Sequence, residues 1–229
     1  MAIEKHFIQE GIIRSQVEEF LSRKIDKAGY SRIEIKKVPL STQILLFVER
    51  PPLIIGKRGK KIERMTSELK NRFNIEKPMI DVQKVTQPNL DANLVAKSIA
   101  TALERGMNRR RVIYRTLRAV MHSGARGVEI SLSGKIVGKG GRSRTEKYLE
   151  GYMKKAGDSL KLVDMGLTQA YLKAGIIGVT VRIVKPDVVF PDHIDVLKGI
   201  VIKEETPGDN DANLEKKLPE DSDGKEVKK

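Results

Sequence analysis

The residues Gly56-Lys57-Arg58-Gly59 place two cationic side chains between two glycines. Aliphatic residues precede this turn, two lysines follow it, and apolar residues then repeat at helical spacing. In chain order these flanking residues are Ile54, Ile55, Lys60, Lys61, Ile62, Met65 and Leu69. Because glycine has no Cβ, a phosphodiester backbone can approach the turn closely, and the first amides of a following helix favour a phosphate. The pattern predicts a phosphate-binding turn between a short helix and a longer one.

The spacing of the two glycines is weak by itself, because three more G-x-x-G matches begin at Gly124, Gly138 and Gly175. Only the first match has aliphatic residues before it, two basic residues inside it and an amphipathic helical pattern after it. In this context the turn resembles the nucleic-acid-binding turn of KH domains. The alternative is a glycine that ends one helix and leads into a hairpin turn. The predicted RNA-binding residues are Gly56, Lys57, Arg58, Gly59, Lys60 and Lys61.

A second candidate site is a cluster of arginines, because residues 105–127 contain seven arginines and no carboxylate. At about 100° per residue, Arg111, Arg115 and Arg118 lie within about 60° of one another, with apolar residues on roughly the opposite side. Guanidinium groups bind phosphate in bidentate fashion and stack on bases. The alternative is an ordinary solvated helix face. The predicted RNA-binding residues are Arg109, Arg110, Arg111, Arg115 and Arg118.

A third candidate is the glycine-rich basic loop at 134–144, which lies between two strand-like segments. It differs from a P-loop because its glycine-to-lysine spacing is one residue short and Gly140 replaces the magnesium-binding Ser or Thr. No helical pattern follows, so nucleotide binding is not expected. The loop is either a long hairpin or a segment packed against RNA, and the two interpretations are compatible. The predicted RNA-binding residues are Lys135, Lys139, Arg142 and Arg144.

The charge of the chain is positive and uneven. The formal net charge is +14, and residues 203–229 contain six lysines but nine carboxylates, so residues 1–202 carry +17. A body this basic predicts an acidic partner, most commonly nucleic acid. No apolar run is long enough to span a bilayer and no N-terminal signal pattern is present, so we expect a cytoplasmic protein that does not bind membranes.

Signatures of catalysis and of cofactor binding are missing. The sequence has no cysteine, and its three histidines are far apart without the spacing of metal ligands. No serine lies in a nucleophile-elbow pattern. We therefore expect no catalytic residue, no metal and no cofactor. Aromatic residues make up 4% of the chain and tryptophan is absent, which favours backbone and arginine contacts over base stacking on a sheet.

The elements that position the glycine turn follow from periodicity. A helical stripe at 9–28 includes Ile12 and Ile13 and ends at Gly29, and strands are predicted at 31–36 and 43–49. After the turn come a helix at about 60–72 and a strand at 79–85. This order of elements is that of a type II KH domain, which we assign to residues 1–86.

The rest of the chain predicts a second α+β domain at 87–202. Asp91 is expected to cap a helix that ends at Gly106, and the arginine helix spans about 108–122. Strand patterns follow at 128–133, 144–149, about 161–172 and 179–184. Two helices packed on a mainly antiparallel sheet fit this order. Residues 203–229 are too polar to form a core, and we predict a disordered acidic tail.

Several motifs in the same order resemble the family of small-subunit ribosomal protein number three, in its archaeal form, over roughly 1–202. They are the glycine turn, the arginine helix leading into Gly124–Ile130, the Ser133-Gly134 turn, Arg144-Thr145-Glu146, and Gly175–Val179 with its strand. The resemblance implies a structural constituent of the small ribosomal subunit. It would bind ribosomal RNA in the subunit head, beside neighbouring head proteins.

The resemblance also implies that the arginine helix lines the channel through which messenger RNA (mRNA) enters the subunit. The matching residues are Arg110 and Arg111, whereas Tyr114 replaces a lysine of the family, for which Arg115 and Arg118 could compensate. Eukaryotic relatives are credited with cleavage at damaged DNA, which no residue pattern here supports. The alternatives are therefore such a DNA-cleaving enzyme, or a KH adaptor that binds mRNA away from the ribosome.

Overall fold

The computed structural model describes residues 3–38, 41–73, 75, 77–136 and 141–191. The first half of the chain contains six helices and strands among these residues. They are α1 (Ile3–Ile25), β1 (Tyr30–Val38), β2 (Ser41–Val48), α2 (Pro52–Ile55), α3 (Lys60–Phe73) and β3 (Pro78–Lys84). The second half contains α4 (Ala92–Glu104), α5 (Arg109–His122), β4 (Gly127–Gly134), β5 (Arg144–Gly151), β6 (Asp164–Leu172) and β7 (Gly175–Val184).

The first half forms a three-stranded sheet in the order β1-β2-β3. β1 and β2 are antiparallel, whereas β2 and β3 are parallel, and the connection between the parallel pair runs through α2, the glycine turn and α3. The core consists of apolar residues from α1, β2 and α3. Its fully buried members include Val17, Leu21, Ile44, Leu46, Val48 and Leu69. The predicted order of elements is therefore confirmed, including the end of the first helical segment at Gly29, whose φ is 76°.

The first helix differs from the prediction at its N-terminal end. α1 begins at Ile3 instead of residue 9, and the predicted stripe residues Ile12 and Ile13 are 51% and 39% exposed. A helix of 23 residues spans about 35 Å, whereas a strand of eight residues spans about 26 Å. The sheet is shorter than α1, but it still reaches Glu10, whose carboxylate pairs with Lys37 of β1 at 2.5 Å. The length of the sheet therefore does not account for the exposure of Ile12 and Ile13. The buried part of the stripe begins at Val17.

The second half forms an antiparallel sheet in the order β5-β4-β7-β6, with a separate core. α4 and α5 cover one face of this sheet through alternate residues of the strands, including Val128, Ile130, Val181 and Ile183. The prediction of two helices packed on a mainly antiparallel sheet is confirmed. β7 begins at Gly175 instead of residue 179, because Gly175 already pairs with Leu172 across the β6–β7 hairpin.

Polar contacts at the start of α4 join the two halves. The Asp91 carboxylate accepts hydrogen bonds from the backbone N–H groups of Asn93 and Leu94, so the predicted cap is present. The Ser31 hydroxyl of β1 donates to the same carboxylate, and Asn93 Nδ2 donates to the Ser31 carbonyl at 2.9 Å. β1 is thereby fixed to the first turn of α4. The domain boundary at residues 86 and 87 stays a prediction, and the predicted tail at 203–229 lies outside the described residues.

The closest approach of α4 to β6 gives a test of the second core. A Cβ built on Gly166 would lie 2.2 Å from the Ala92 carbonyl oxygen, which is a backbone atom that cannot move aside. We expect Gly166→Ala to lower the free energy of unfolding by about 1–3 kcal/mol, measured by urea denaturation. Gly11→Ala is the matched control, since nothing lies within 4 Å of its added Cβ, and it should raise stability by up to about 1 kcal/mol. Equal effects of the two substitutions would contradict this packing.

Candidate nucleic-acid interface

The glycine turn adopts a backbone that only a few residue types tolerate. Gly56 ends α2 with φ 70°, and its N–H donates to the Pro52 carbonyl at 3.0 Å. Residues 57–59 form a single turn of 3-10 helix, in which Arg58 and Gly59 also have positive φ, 56° and 75°. A Cβ at Gly56 would lie 2.9 Å from the Lys61 Cβ. Glycine is thus required at position 56 both by its backbone angle and by the close contact with Lys61. The alternative of a helix end that leads into a hairpin explains only the first half of the turn, because α3 follows the turn.

The cations of this turn divide into two groups. Lys57, Arg58 and Lys60 are exposed and make no ion pair with another described residue, so their charges are available to a ligand. The Lys61 ammonium instead donates to the Leu53 carbonyl at 2.7 Å, one turn before the first glycine. Lys61 therefore fixes α2 against α3, although an ammonium group has two further donors.

The arginine helix α5 has a buried side and a cationic side. Its first turn is capped by Asn108, whose side chain accepts from the Arg110 N–H at 3.1 Å. Val112, Ile113, Leu117 and Val120 are buried in the second core. The opposite side exposes Arg110, Arg111, Arg115 and Arg118, and none of their guanidinium groups bonds to another described residue. We call these four residues the arginine face.

Arg109 differs from the four residues of the arginine face. Its Nε and Nη2 atoms donate to the two carboxylate oxygens of Glu146, each at 3.2 Å, and its Nη1 donates to the Ile136 carbonyl at 3.4 Å. The hydrogen bond from Arg109 lowers the pKa of the Glu146 carboxyl, against an opposing effect of its partial burial. Arg109 was predicted to bind RNA, but here its charge is already paired within the protein.

Two tyrosines extend the contacts of Glu146 to the exposed surface. The Tyr148 hydroxyl donates to Glu146 Oε2 at 3.1 Å, and partial burial, followed by this hydrogen bond, raises the pKa of the Tyr148 hydroxyl. The ring of Tyr148 contacts the ring of Tyr114 edge to face, with 5.6 Å between centroids and 78° between planes. Tyr114, on α5, is therefore held by β5 among the residues of the arginine face.

The basic loop is joined to α5 at its base. Gly134 and Arg144 pair as the last residues of the antiparallel β4–β5 ladder, which confirms the hairpin. Lys135, Arg142 and Arg144 are exposed, whereas Lys139 lies outside the described residues. Through Ile136 and Glu146, Arg109 contacts both sides of the hairpin. Two of the three predicted sites are thus brought together, while the glycine turn lies in the other half, between α2 and α3.

Features of other functional classes are missing from the part of the chain that the structure describes. No cluster of three or more histidine, aspartate or glutamate residues could hold a metal ion there. Within the same residues, no helix combines the length and the apolar character needed to cross a bilayer.

Comparison with known proteins places this fold. The KH-domain family matches residues 16–90, and the family of the C-terminal domain of ribosomal protein S3 matches residues 99–183. Small ribosomal subunit protein uS3 of Methanococcus aeolicus is 45% identical over 202 residues, covering 88% of this chain and 96% of the relative. The chain belongs to the uS3 family. The uS3 proteins of Methanocaldococcus jannaschii, at 44% identity (88% of this chain, 96% of the relative), and Haloarcula marismortui, at 41% (97% and 74%), are similar to it as well.

Membership in the uS3 family confirms the expectation of a ribosomal, RNA-binding protein with archaeal relatives. The relatives carry the name of a ribosomal protein and not that of an enzyme, which argues against the DNA-cleaving alternative. The KH match includes the glycine turn, and the S3 match includes α5, the hairpin and the second sheet. The roles of the individual site residues stay predictions.

The contacts of Glu146 are what the sequence analysis missed. The sequence indicates Glu146 only as part of a family motif, without a partner, and it gives no role to Tyr148. The available signal was the position of Glu146 on a strand next to the basic loop, where a carboxylate can pair with an arginine. A separation of 37 residues between Arg109 and Glu146 hid the pair from any local pattern.

The pairing predicts a pH-dependent stability. Because the folded-state pKa of Glu146 is lowered, the stabilisation is present above its ordinary value of 4.5 and is lost as pH falls through the folded-state pKa. We expect Glu146→Gln to cost about 1 kcal/mol at pH 7 and clearly less at an acid pH at which the Glu146 carboxyl is protonated, measured by urea denaturation. Glu150→Gln, at an exposed position on the same strand, is the control. A cost that is the same at both pH values would contradict the ion pair.

Proposed function

We propose that the arginine face contacts mRNA where it enters the small subunit, while the glycine turn and the basic loop bind ribosomal RNA of the subunit head. The observation that supports this assignment is that the arginines of α5 fall into a paired and an exposed group. One arginine, Arg109, is paired with an internal carboxylate, and the four that follow on the exposed side make no hydrogen bond or ion pair with another described residue through their guanidinium groups. A helix face that contacts only solvent usually carries both positive and negative side chains.

The arrangement suits a strand that moves past the protein. Guanidinium groups on successive turns of a rigid helix can each bind a phosphate and release it to the next group. Because phosphate contacts carry no sequence information, this can happen with any message. An arginine face that holds the phosphates of one strand as it separates from its complement would oppose re-pairing of that strand. The protein supplies charge and position, and it makes and breaks no covalent bond.

The glycine turn suits a stationary contact. Its backbone is fixed by Gly56, by Lys61 and by the left-handed conformation of Arg58, so the exposed cations Lys57 and Arg58 extend from a backbone of defined conformation. A turn with a fixed backbone suits an RNA backbone that is itself held in place in an assembled particle. The corresponding location is the cytoplasmic ribosome. The exposed Ile8, Ile12 and Ile13 of α1 suit a contact with a neighbouring protein of the subunit head.

The test compares small subunits that carry variant proteins. We expect Arg110→Ala with Arg111→Ala to slow translation of a message with a stable hairpin several-fold more than translation of an unstructured message, because two phosphate contacts are lost. Sedimentation of the particles measures incorporation, which should be unchanged.

Two matched variants complete the design. Arg14→Ala with Arg23→Ala removes the same charge from exposed positions of α1 and should not discriminate between the two messages. Lys57→Asp with Arg58→Asp should reduce incorporation, because it acts on the proposed contact with ribosomal RNA. If the variant of Arg110 and Arg111 loses only incorporation, the arginine face is architectural and the proposed channel contact is wrong.

A further inference from the structure

Tyr114 occupies an unusual position for an aromatic residue. Its side chain is 52% exposed, and it lies one helical turn from Arg110 on one side and from Arg118 on the other. At about 100° per residue, Tyr114 is about 40° from each of these arginines around the helix axis. An exposed ring thus lies between two arginines whose guanidinium groups make no hydrogen bond or ion pair with another described residue.

The ring is also held in place. Tyr148 contacts it edge to face at 5.6 Å, the Tyr148 hydroxyl donates to Glu146, and Glu146 is held by two hydrogen bonds from Arg109. An edge-to-face contact with Tyr148 is compatible with a second aromatic partner against the exposed surface of Tyr114. Fixing the ring in advance lowers the conformational entropy that a ligand would otherwise have to remove.

We propose that Tyr114 stacks on an unpaired base of single-stranded RNA whose phosphates are bound by the arginine face. A flat ring between cations fits a nucleotide strand, which alternates bases with phosphates and offers a π surface whatever its sequence. An acidic peptide would satisfy the arginines but would leave the ring without a matching partner. This inference rests on the proposed function of the arginine face and adds base stacking to phosphate binding.

The experiment uses the full chain and a single-stranded oligouridylate that contains 5-iodouridine, a base that cross-links to stacked aromatic side chains under ultraviolet light. Mass spectrometry then locates the cross-link. In parallel, RNA affinity is measured at several salt concentrations for the wild type, Tyr114→Phe, Tyr114→Leu and Arg110→Ala with Arg111→Ala. Tyr171→Leu is the matched control, because Tyr171 is 66% exposed but lies on β6, away from α5.

Stacking and charge give different results in this design. We expect the cross-link at Tyr114, and Tyr114→Leu should weaken binding about fivefold or more at every salt concentration, since stacking releases no counterions. Tyr114→Phe and Tyr171→Leu should bind like the wild type, whereas the arginine variant should show a shallower dependence on salt.

Two results would overturn the inference. If no cross-link forms at Tyr114 and Tyr114→Leu binds like the wild type, while the arginine variant is weakened, stacking is absent and the proposed function stands. If neither the tyrosine nor the arginine variant changes binding, the proposed function fails together with the inference. The cross-link in the wild type decides the question even if Tyr114→Leu does not fold.

Discussion

The ion pair between Arg109 and Glu146 holds together the elements that carry the arginine face and the basic loop. Arg109 begins α5, Glu146 lies on β5, and the Ile136 carbonyl, at the base of the hairpin loop, receives a third hydrogen bond from the same guanidinium group. Helix, strand and loop are therefore joined at one point. From that point the arginine face extends along a helix whose other side is locked into an apolar core.

Concentrating unpartnered cations on one helix is unfavourable in the free protein, because like charges one turn apart repel each other. This repulsion is offset by the burial of apolar side chains, namely Val112, Ile113, Leu117 and Val120. The helix therefore stays folded although its exposed arginines do not stabilise it. RNA would relieve the repulsion by supplying the missing anions. The same logic holds for the glycine turn, where Lys61 contributes to local structure and leaves Lys57 and Arg58 exposed.

The sequence was sufficient for the order of helices and strands, because the periodicities are strong and the glycines and Asp91 mark several of the ends. It was also sufficient to predict that the turn at Gly56–Gly59 lies between two helices, unlike the matches that begin at Gly124 and Gly175. It could not reveal that Arg109 is paired or that Lys61 bonds to the Leu53 carbonyl, because both contacts form only after folding. The exposure of Ile12 and Ile13 was equally hidden, since the part of a helix that the rest of the chain covers is decided by tertiary packing.

The central claim is that this uS3 protein binds RNA by neutralising phosphates with cations held in fixed positions. Its most direct test is the dependence of the affinity for single-stranded RNA on salt, measured with the full chain. If about six phosphates are engaged, log K should fall against log salt concentration with a slope of about −4. A slope near zero would contradict the electrostatic account.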